Sequence, residues 1–224
     1  MPDYFSHYIC AEKIFERLDA QTRAIIPSRT LYLLGAQGGD VFFAYSMKFS
    51  RTNLGRAMHV KNPAELFALL AEGNPSYAAG WATHYALDCT LHPAVYAFER
   101  DAKSPFAHQR IESDLGLYIS KFYAMRRRIL PREKVLPCTG AVYDSVKQIA
   151  PDITMTGVER CLKRHFSYTR YIYKTKKQSY KYGFDYSSLA GAVEDAVRLG
   201  AEAVKCVLSK DIDGAIFNKE FLQK

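Results

Sequence analysis

The chain has few of the features that mark secreted, membrane-spanning or cysteine-based proteins. Its 224 residues include five cysteines, an odd number, and none of them forms a C-x-x-C pair. This argues against a disulfide framework and against a cysteine zinc knuckle. There is no run of about 18 or more apolar residues, and the N-terminus has no basic region followed by an apolar one. As the sequence stands, we expect a cytoplasmic protein, with secretion by another route left open.

Patterns typical of β-strands are also scarce. Few segments alternate apolar and polar residues, whereas apolar residues recur at helical spacing, for example from Leu115 to Ile129 and from Leu189 to Leu208. We therefore predict an all-α fold, a multi-helix bundle, formed by residues 1–224 as one domain. The adjacent His-Asp dyad, the H-E-x-x-H motif and the P-loop are absent as well, so the hydrolase classes that depend on them are less favoured.

Local patterns give three expectations for the first 70 residues. An apolar helical stripe opens the chain and places His7 near a helix N-terminus, and another helix begins at Pro63. The glycine-rich segment 35–40 is expected to form a flexible turn that delivers Asp40, and the polar segment 49–60, which ends in His59, is expected to be a loop.

Histidines and carboxylates spaced four residues apart stand out among what the chain does contain. His84, Asp88 and His92 follow this spacing in one predicted helix, and His108 and Glu112 follow it in a second. Side chains four residues apart share one face of a helix. A carboxylate such as Asp88 on a buried face would cost several kcal/mol unless a cation or hydrogen bonds compensate. These residue types suit zinc. The alternatives are an arginine salt bridge or a loop cap for Asp88, and an exposed helical pair for His108 and Glu112.

The order of these residues resembles the zinc-dependent phospholipase C family, which includes bacterial phosphatidylcholine-hydrolysing enzymes and the catalytic domain of clostridial alpha-toxin. The resemblance covers the first half of the chain and implies a helical bundle of the phospholipase C and P1 nuclease type with two to three zinc ions. It implies ligands for three sites, namely Asp40, His59, His84 and Asp88 for the first zinc, His92, His108 and Glu112 for the second, and His7 with a bridging Asp88 for the third.

The chain departs from the family at the N-terminus and around His92. Family members begin with a tryptophan that binds the third zinc, whereas this chain begins Met1-Pro2-Asp3, so that Asp3, a processed amino terminus or water would have to substitute. Only three residues separate Asp88 from His92, and Pro93 is expected to bend the helix so that His92 turns towards its own zinc. The secretion signal of the family's secreted members is missing.

These patterns predict a zinc-dependent phosphodiesterase that hydrolyses a phospholipid or a related phosphate ester, with Asp40, by resemblance, as the residue that takes a proton from the attacking water. A single-strand nuclease of the S1/P1 type and a non-catalytic, metal-stabilised binding protein remain the alternatives. Lysine and arginine exceed aspartate and glutamate by 31 to 23, and segment 160–182 mixes basic residues with tyrosines. This segment could meet a membrane surface or, less favoured, nucleic acid, or it could be a solvated helix whose tyrosines pack inward.

Overall fold

The computed structural model describes residues 3–45, 53–102, 104, 106–175, 180–212 and 214–219. Every regular element within these residues is helical, which confirms the predicted all-α, multi-helix fold. The α-helices of the described residues are α1 (Tyr4–Arg17), α2 (Ala20–Ala24), α3 (Arg29–Gly35), α4 (Leu54–His59), α5 (Pro63–Leu70), α6 (Pro75–Ala102), α7 (Ala107–Phe122), α8 (Arg132–Val135), α9 (Thr139–Lys147), α10 (Met155–Thr175) and α11 (Ala190–Ser209). Short 3-10 helices span Gly38–Ala44, Leu136–Cys138 and Tyr186–Leu189.

Helix α6 lies at the centre of the fold and contacts α1, α3, α7 and α11. Its 28 residues make it about 42 Å long at 1.5 Å per residue. Nearly all side chains from Ser76 to His92 are buried, on every side of the helix, because small and apolar residues surround the few polar ones. The helix continues through Pro93 to Ala102, although Pro93 cannot donate a backbone hydrogen bond.

Helix α3 lies unusually close to α6 because glycine occupies both sides of the contact. A Cβ at Gly80 would lie 1.9 Å from the carbonyl oxygen of Tyr32, and a Cβ at Gly35 would lie 2.1 Å from the carbonyl oxygen of Tyr77. Any side chain at either glycine would push the two helices apart. The close approach brings the chain that follows α3 over the middle of α6.

Two segments expected to be irregular are helical instead. Residues Gly38–Ala44 form a 3-10 helix rather than a flexible turn. The described part of segment 49–60 contains α4, whose N-terminus is capped by Asn53 through a 3.2 Å hydrogen bond from the backbone N–H of Arg56 to its side-chain oxygen. Residues 49–52 lie outside the described part of the chain. The polar composition of this segment misled the prediction, because a capped helix of six residues has too few apolar positions for a clear periodicity.

Helix α10 carries most of the basic, tyrosine-rich segment and packs against α9 and against the 3-10 helix Gly38–Ala44. Phe166 on its inner face is buried, whereas Tyr168 and Tyr171 are 59% and 64% exposed. The interpretation in which all tyrosines of the segment pack inward is therefore wrong for these two residues. Residues 176–179 of the segment lie outside the described residues. Among the helices described, none combines the length and the hydropathy that crossing a membrane requires.

Candidate metal centre

Three of the predicted ligands come from the buried part of α6. His84, Asp88 and His92 succeed one another at single-turn intervals, and they are 0%, 2% and 4% exposed. Their side chains point to the side of α6 that faces α1, α4 and α7, where they meet the ligands from these elements. The helical spacing in the sequence is therefore sufficient to explain how one element supplies a row of donors.

Asp88 links the surrounding histidines because its two carboxylate oxygens face different partners. Oδ2 lies 3.2 Å from Nε2 of His84 and 3.6 Å from Nε2 of His59. Oδ1 lies 3.4 Å from Nε2 of His7 and 3.6 Å from Nδ1 of His92. A carboxylate placed in this way can bridge two cations, one on each oxygen.

The first group of donors consists of Asp40, His59, His84 and Asp88. Nε2 of His59 lies 3.1 Å from Nε2 of His84 and 3.3 Å from Oδ1 of Asp40. Two ligands of a tetrahedral zinc, each about 2.0–2.1 Å from the ion, lie about 3.3–3.4 Å apart. Nδ1 of His59 donates to the carbonyl oxygen of Gly55 at 2.7 Å, so the lone pair of the neutral ring lies on Nε2 and faces the group.

The second group consists of His92, His108 and Glu112. Oε1 of Glu112 lies 2.8 Å from Nε2 of His108 and 3.6 Å from Nε2 of His92. Nδ1 of His92 donates to the carbonyl oxygen of Asp88 at 3.0 Å, and Nδ1 of His108 donates to the carboxylate of Glu99 at 3.0 Å. Both rings therefore present Nε2 to Glu112, in the arrangement typical of histidines that ligate a metal through one nitrogen.

His7 completes the centre from α1. Its ring stacks on that of His84 with centroids 4.2 Å apart, and suitable atoms of His7, Asp40 and His84 lie within 4.8 Å of one another. His7 is 1% exposed, and neither of its ring nitrogens has a hydrogen-bond partner in the described chain. An orphaned buried polar group costs about 1–3 kcal/mol, so a ligand in contact with His7 would remove that cost. The structure thus brings all eight predicted residues into one contiguous cluster.

The electrostatics of the cluster favour a cation. Burial on its own would raise the pKa of Asp88, but the neighbouring His84 and His92 hold that pKa far below its usual range. Burial would likewise lower the pKa of His92, yet Asp88 and Glu112 raise it to about 9. Burial, helped by His84, lowers the pKa of His7 to about 3, so this ring is neutral. Three carboxylates buried in one cluster create a negative potential that zinc ions would neutralise.

Two adjacent glycines leave room for the histidine rings of the first group. Gly38 has a φ of +48°, in the left-handed region, and a Cβ at this position would lie 2.3 Å from Cδ2 of His84. A Cβ at Gly39 would lie 2.7 Å from Cε1 of His59. The 3-10 helix therefore covers both rings with backbone alone.

We expect the Gly38→Ala variant to lose metal from the first group. The new Cβ would displace the His84 ring, and the left-handed backbone would cost about 1–3 kcal/mol with a non-glycine residue. Zinc content after purification and thermal unfolding would measure both effects. Gly140→Ala is the control, because a Cβ there meets nothing within 4 Å, and it should retain zinc with stability unchanged or raised by up to about 1 kcal/mol. Full zinc content in Gly38→Ala would contradict the assignment.

Sequence reasoning overlooked His165 and Tyr96, which also lie near the cluster. His165 on α10 is buried, interacts electrostatically with Asp40 and His84, and has no hydrogen-bond partner on either ring nitrogen in the described chain. The ring of Tyr96 lies beside the second group. Nothing in the sequence indicated His165, because it reaches the centre only through the long-range packing of α10. Tyr96 was detectable as the next position, four residues on, in the stripe of α6.

A small cavity beside the second group is lined by Asp3 and Ser6 of the chain start together with Asp88, His92 and Glu112. The hydroxyl oxygen of Ser6 is buried and has no hydrogen-bond partner in the described chain. Gly116 leaves room for Asp3, because a Cβ there would lie 1.8 Å from Oδ2 of Asp3. Asp3 is therefore close to the cluster. It lies in the region where the resemblance to the phospholipase C family requires an N-terminal ligand that this sequence does not supply as tryptophan.

Comparisons of the chain with models of protein families, with curated proteins and with solved structures found no match. The assignment of a function therefore depends on the geometry and chemistry of the cluster.

Proposed function

We propose that this protein is a zinc-dependent phosphodiester hydrolase of the phospholipase C type. The observation that carries the proposal is the Asp88 carboxylate, which faces two histidines of the first group through one oxygen and His7 and His92 through the other. Its neighbours present nitrogen and carboxylate donors at separations that suit tetrahedral zinc. Adjacent zinc sites that share a carboxylate are well suited to phosphoryl chemistry.

The chain's own residues would hold the ions, orient the substrate and manage the proton. Bound zinc would polarise a phosphoryl oxygen and bring the pKa of water towards about 7. Asp40 is the side chain we assign to accepting the proton of the attacking water, since it is 1% exposed and its Oδ1 already lies at the first group. His108, whose side chain is 19% exposed against at most 5% for the other histidines of the cluster, would mark the side open to substrate.

Exposed side chains close in sequence to the ligands of the cluster support a phospholipid as the substrate. Val60, next to His59, is 68% exposed, and Phe106, two residues before His108, is 63% exposed. Arg56 and Arg110, close to these residues in sequence, are exposed and basic. Exposed apolar side chains with basic neighbours suit a lipid surface, which offers acyl chains to the apolar groups and phosphates to the basic ones.

A single-strand nuclease is the second candidate, and a different surface favours it. Arg164, Tyr168 and Tyr171 are exposed on α10, at spacings that place them on neighbouring positions of one helical face. Aromatic rings interleaved with arginines are suited to stacking on the bases of a single strand.

The reaction products would decide between the candidates. Zinc-loaded protein would be assayed side by side on choline-phosphate, inositol-phosphate and nucleotide esters, with metal content measured on the same samples. Release of a phosphorylated head group from lipid supports the proposal, and release of nucleotides from single-stranded nucleic acid supports the nuclease. Tightly bound zinc with no hydrolysis of any ester would instead indicate a non-catalytic, metal-stabilised binding protein.

We expect the double variant Val60→Ser/Phe106→Ser to hydrolyse vesicle lipid roughly tenfold more slowly than the wild type, because it loses apolar contact area worth about 1.4 kcal/mol or more. Hydrolysis of a soluble ester should not change, since neither side chain belongs to the cluster. The control is Ile25→Ser, which removes an apolar side chain that is 45% exposed and far from the ligands in sequence. Equal rates of vesicle hydrolysis for the double variant and the control would contradict binding of lipid through Val60 and Phe106.

A further inference from the structure

Tyr96 covers the second group of donors from α6. It lies one turn beyond His92, and its ring is tilted by 33° against the His92 ring and by 38° against the His108 ring, with centroids 5.6 and 5.5 Å apart. The residue is half-buried. Tyr96 therefore lies on the side of the cluster where His108 reaches the surface.

The hydroxyl group of Tyr96 makes no hydrogen bond to another described residue. It interacts electrostatically with the carboxylates of Asp88, Glu112 and Glu99 and with Arg56. A tyrosine kept only for packing could be phenylalanine here, because the hydroxyl contributes no hydrogen bond within the described chain. The hydroxyl is thus a hydrogen-bond donor held beside the cluster without a partner among the described residues.

Arg56 supplies a positive charge from α4. It is exposed one turn before His59, so it lies on the helix face of a cluster ligand, and its charge acts on the Tyr96 hydroxyl against the neighbouring carboxylates. The neutral hydroxyl of Tyr96 and the guanidinium of Arg56 thus add two hydrogen-bond donors to a cluster of metal ligands that is otherwise rich in carboxylates. Phosphate oxygens are the ligands that such a pair recognises.

We propose that the Tyr96 hydroxyl and the Arg56 guanidinium bind the non-bridging oxygens of a phosphate group lying against the second group of donors. The inference rests on the proposed function in that the phosphate belongs to the substrate, and it names the chemical class that this side of the site recognises. Free phosphate and the phosphate of an ester share the chemistry, so both serve as probes.

The test uses the zinc-loaded protein with Tyr96→Phe, which removes only the hydroxyl. Inorganic phosphate binding, measured by calorimetry, should weaken about tenfold or more, as expected for a hydrogen bond to a charged group. The kcat/KM for the ester that the wild type hydrolyses should fall by a similar factor, and zinc content and thermal midpoint should not change. Tyr118→Phe is the control, since Tyr118 is half-buried on α7, its ring packs on Phe122 and Tyr186, and it should retain wild-type phosphate affinity.

Arg56→Gln provides a second measurement that does not disturb the core. It should also weaken phosphate binding, and the effects of the two substitutions should be less than additive in the double variant because both groups hold the same phosphate. Unchanged phosphate affinity in Tyr96→Phe, or loss of zinc from it, would overturn the inference. If the wild type hydrolyses no ester, the proposed function fails, but the titration with inorganic phosphate still decides whether Tyr96 binds phosphate.

Discussion

The Asp88→Asn variant is expected to lose zinc at the junction of the first group and His7, together with nearly all hydrolytic activity. The substituted side chain would keep one oxygen, but its amide nitrogen cannot accept a metal, so one side of the bridge would be lost. Changes to outer partners of metal ligands alone cost about 10–100-fold in affinity or activity, so we expect a larger loss here, roughly a thousandfold. Metal analysis and turnover on the best ester would measure it.

Asp114 provides a matched control for this substitution. It is 1% exposed, as deeply buried as Asp88, but its carboxylate accepts hydrogen bonds from the backbone N–H groups of Lys181 and Tyr182 at 2.8–2.9 Å and from the hydroxyl of Tyr186 at 3.2 Å. We expect Asp114→Asn to lower stability by about 1–3 kcal/mol and to retain zinc. Wild-type zinc content and turnover in Asp88→Asn would refute the assignment of the centre.

Chelation of the wild type is expected to lower the midpoint of thermal unfolding by roughly 5–15 °C. Zinc at 100 to 1,000 times its dissociation constant stabilises the folded state by about 2.7–4.1 kcal/mol, and each kcal/mol corresponds to about 2–4 °C for a domain of this size. Added zinc should restore the midpoint, and magnesium should not, because imidazole nitrogens are poor ligands for magnesium.

The Gly38→Ala variant is a useful comparison in this experiment. If the midpoint shift comes from the centre, chelator should affect this variant less than the wild type, because its first group would already be distorted. A midpoint that chelator leaves unchanged in zinc-containing wild type would show that the ion contributes nothing to folding.

Local sequence patterns predicted the parts of the centre that depend on single helices. The spacing of His84, Asp88 and His92, and that of His108 and Glu112, requires only a helical repeat, and the structure contains both rows. The apolar periodicity also predicted the all-α fold, because it reports which residues face the core.

Long-range packing accounts for what the local patterns could not supply. His7, Asp40 and His59 joined the predicted set only through the resemblance to a known family, since no periodicity relates distant segments. Their approach to α6 depends on contacts such as Gly80 against α3 and on the short helix α4, which was expected to be a loop. His165 was overlooked for the same reason, because α10 reaches the 3-10 helix from far along the chain.

The segments that meet in the cluster come from positions between 7 and 112, whereas the five cysteines, all of which lie within the described residues, form no disulfide. Among the described residues, the bonds to a bound ion would thus be the only cross-link, of the kind a disulfide makes, between His7 on α1 and the ligands on α6. Such a tie stabilises the folded state because the ion binds there and not to the unfolded chain, and it withstands reducing conditions that would open a disulfide.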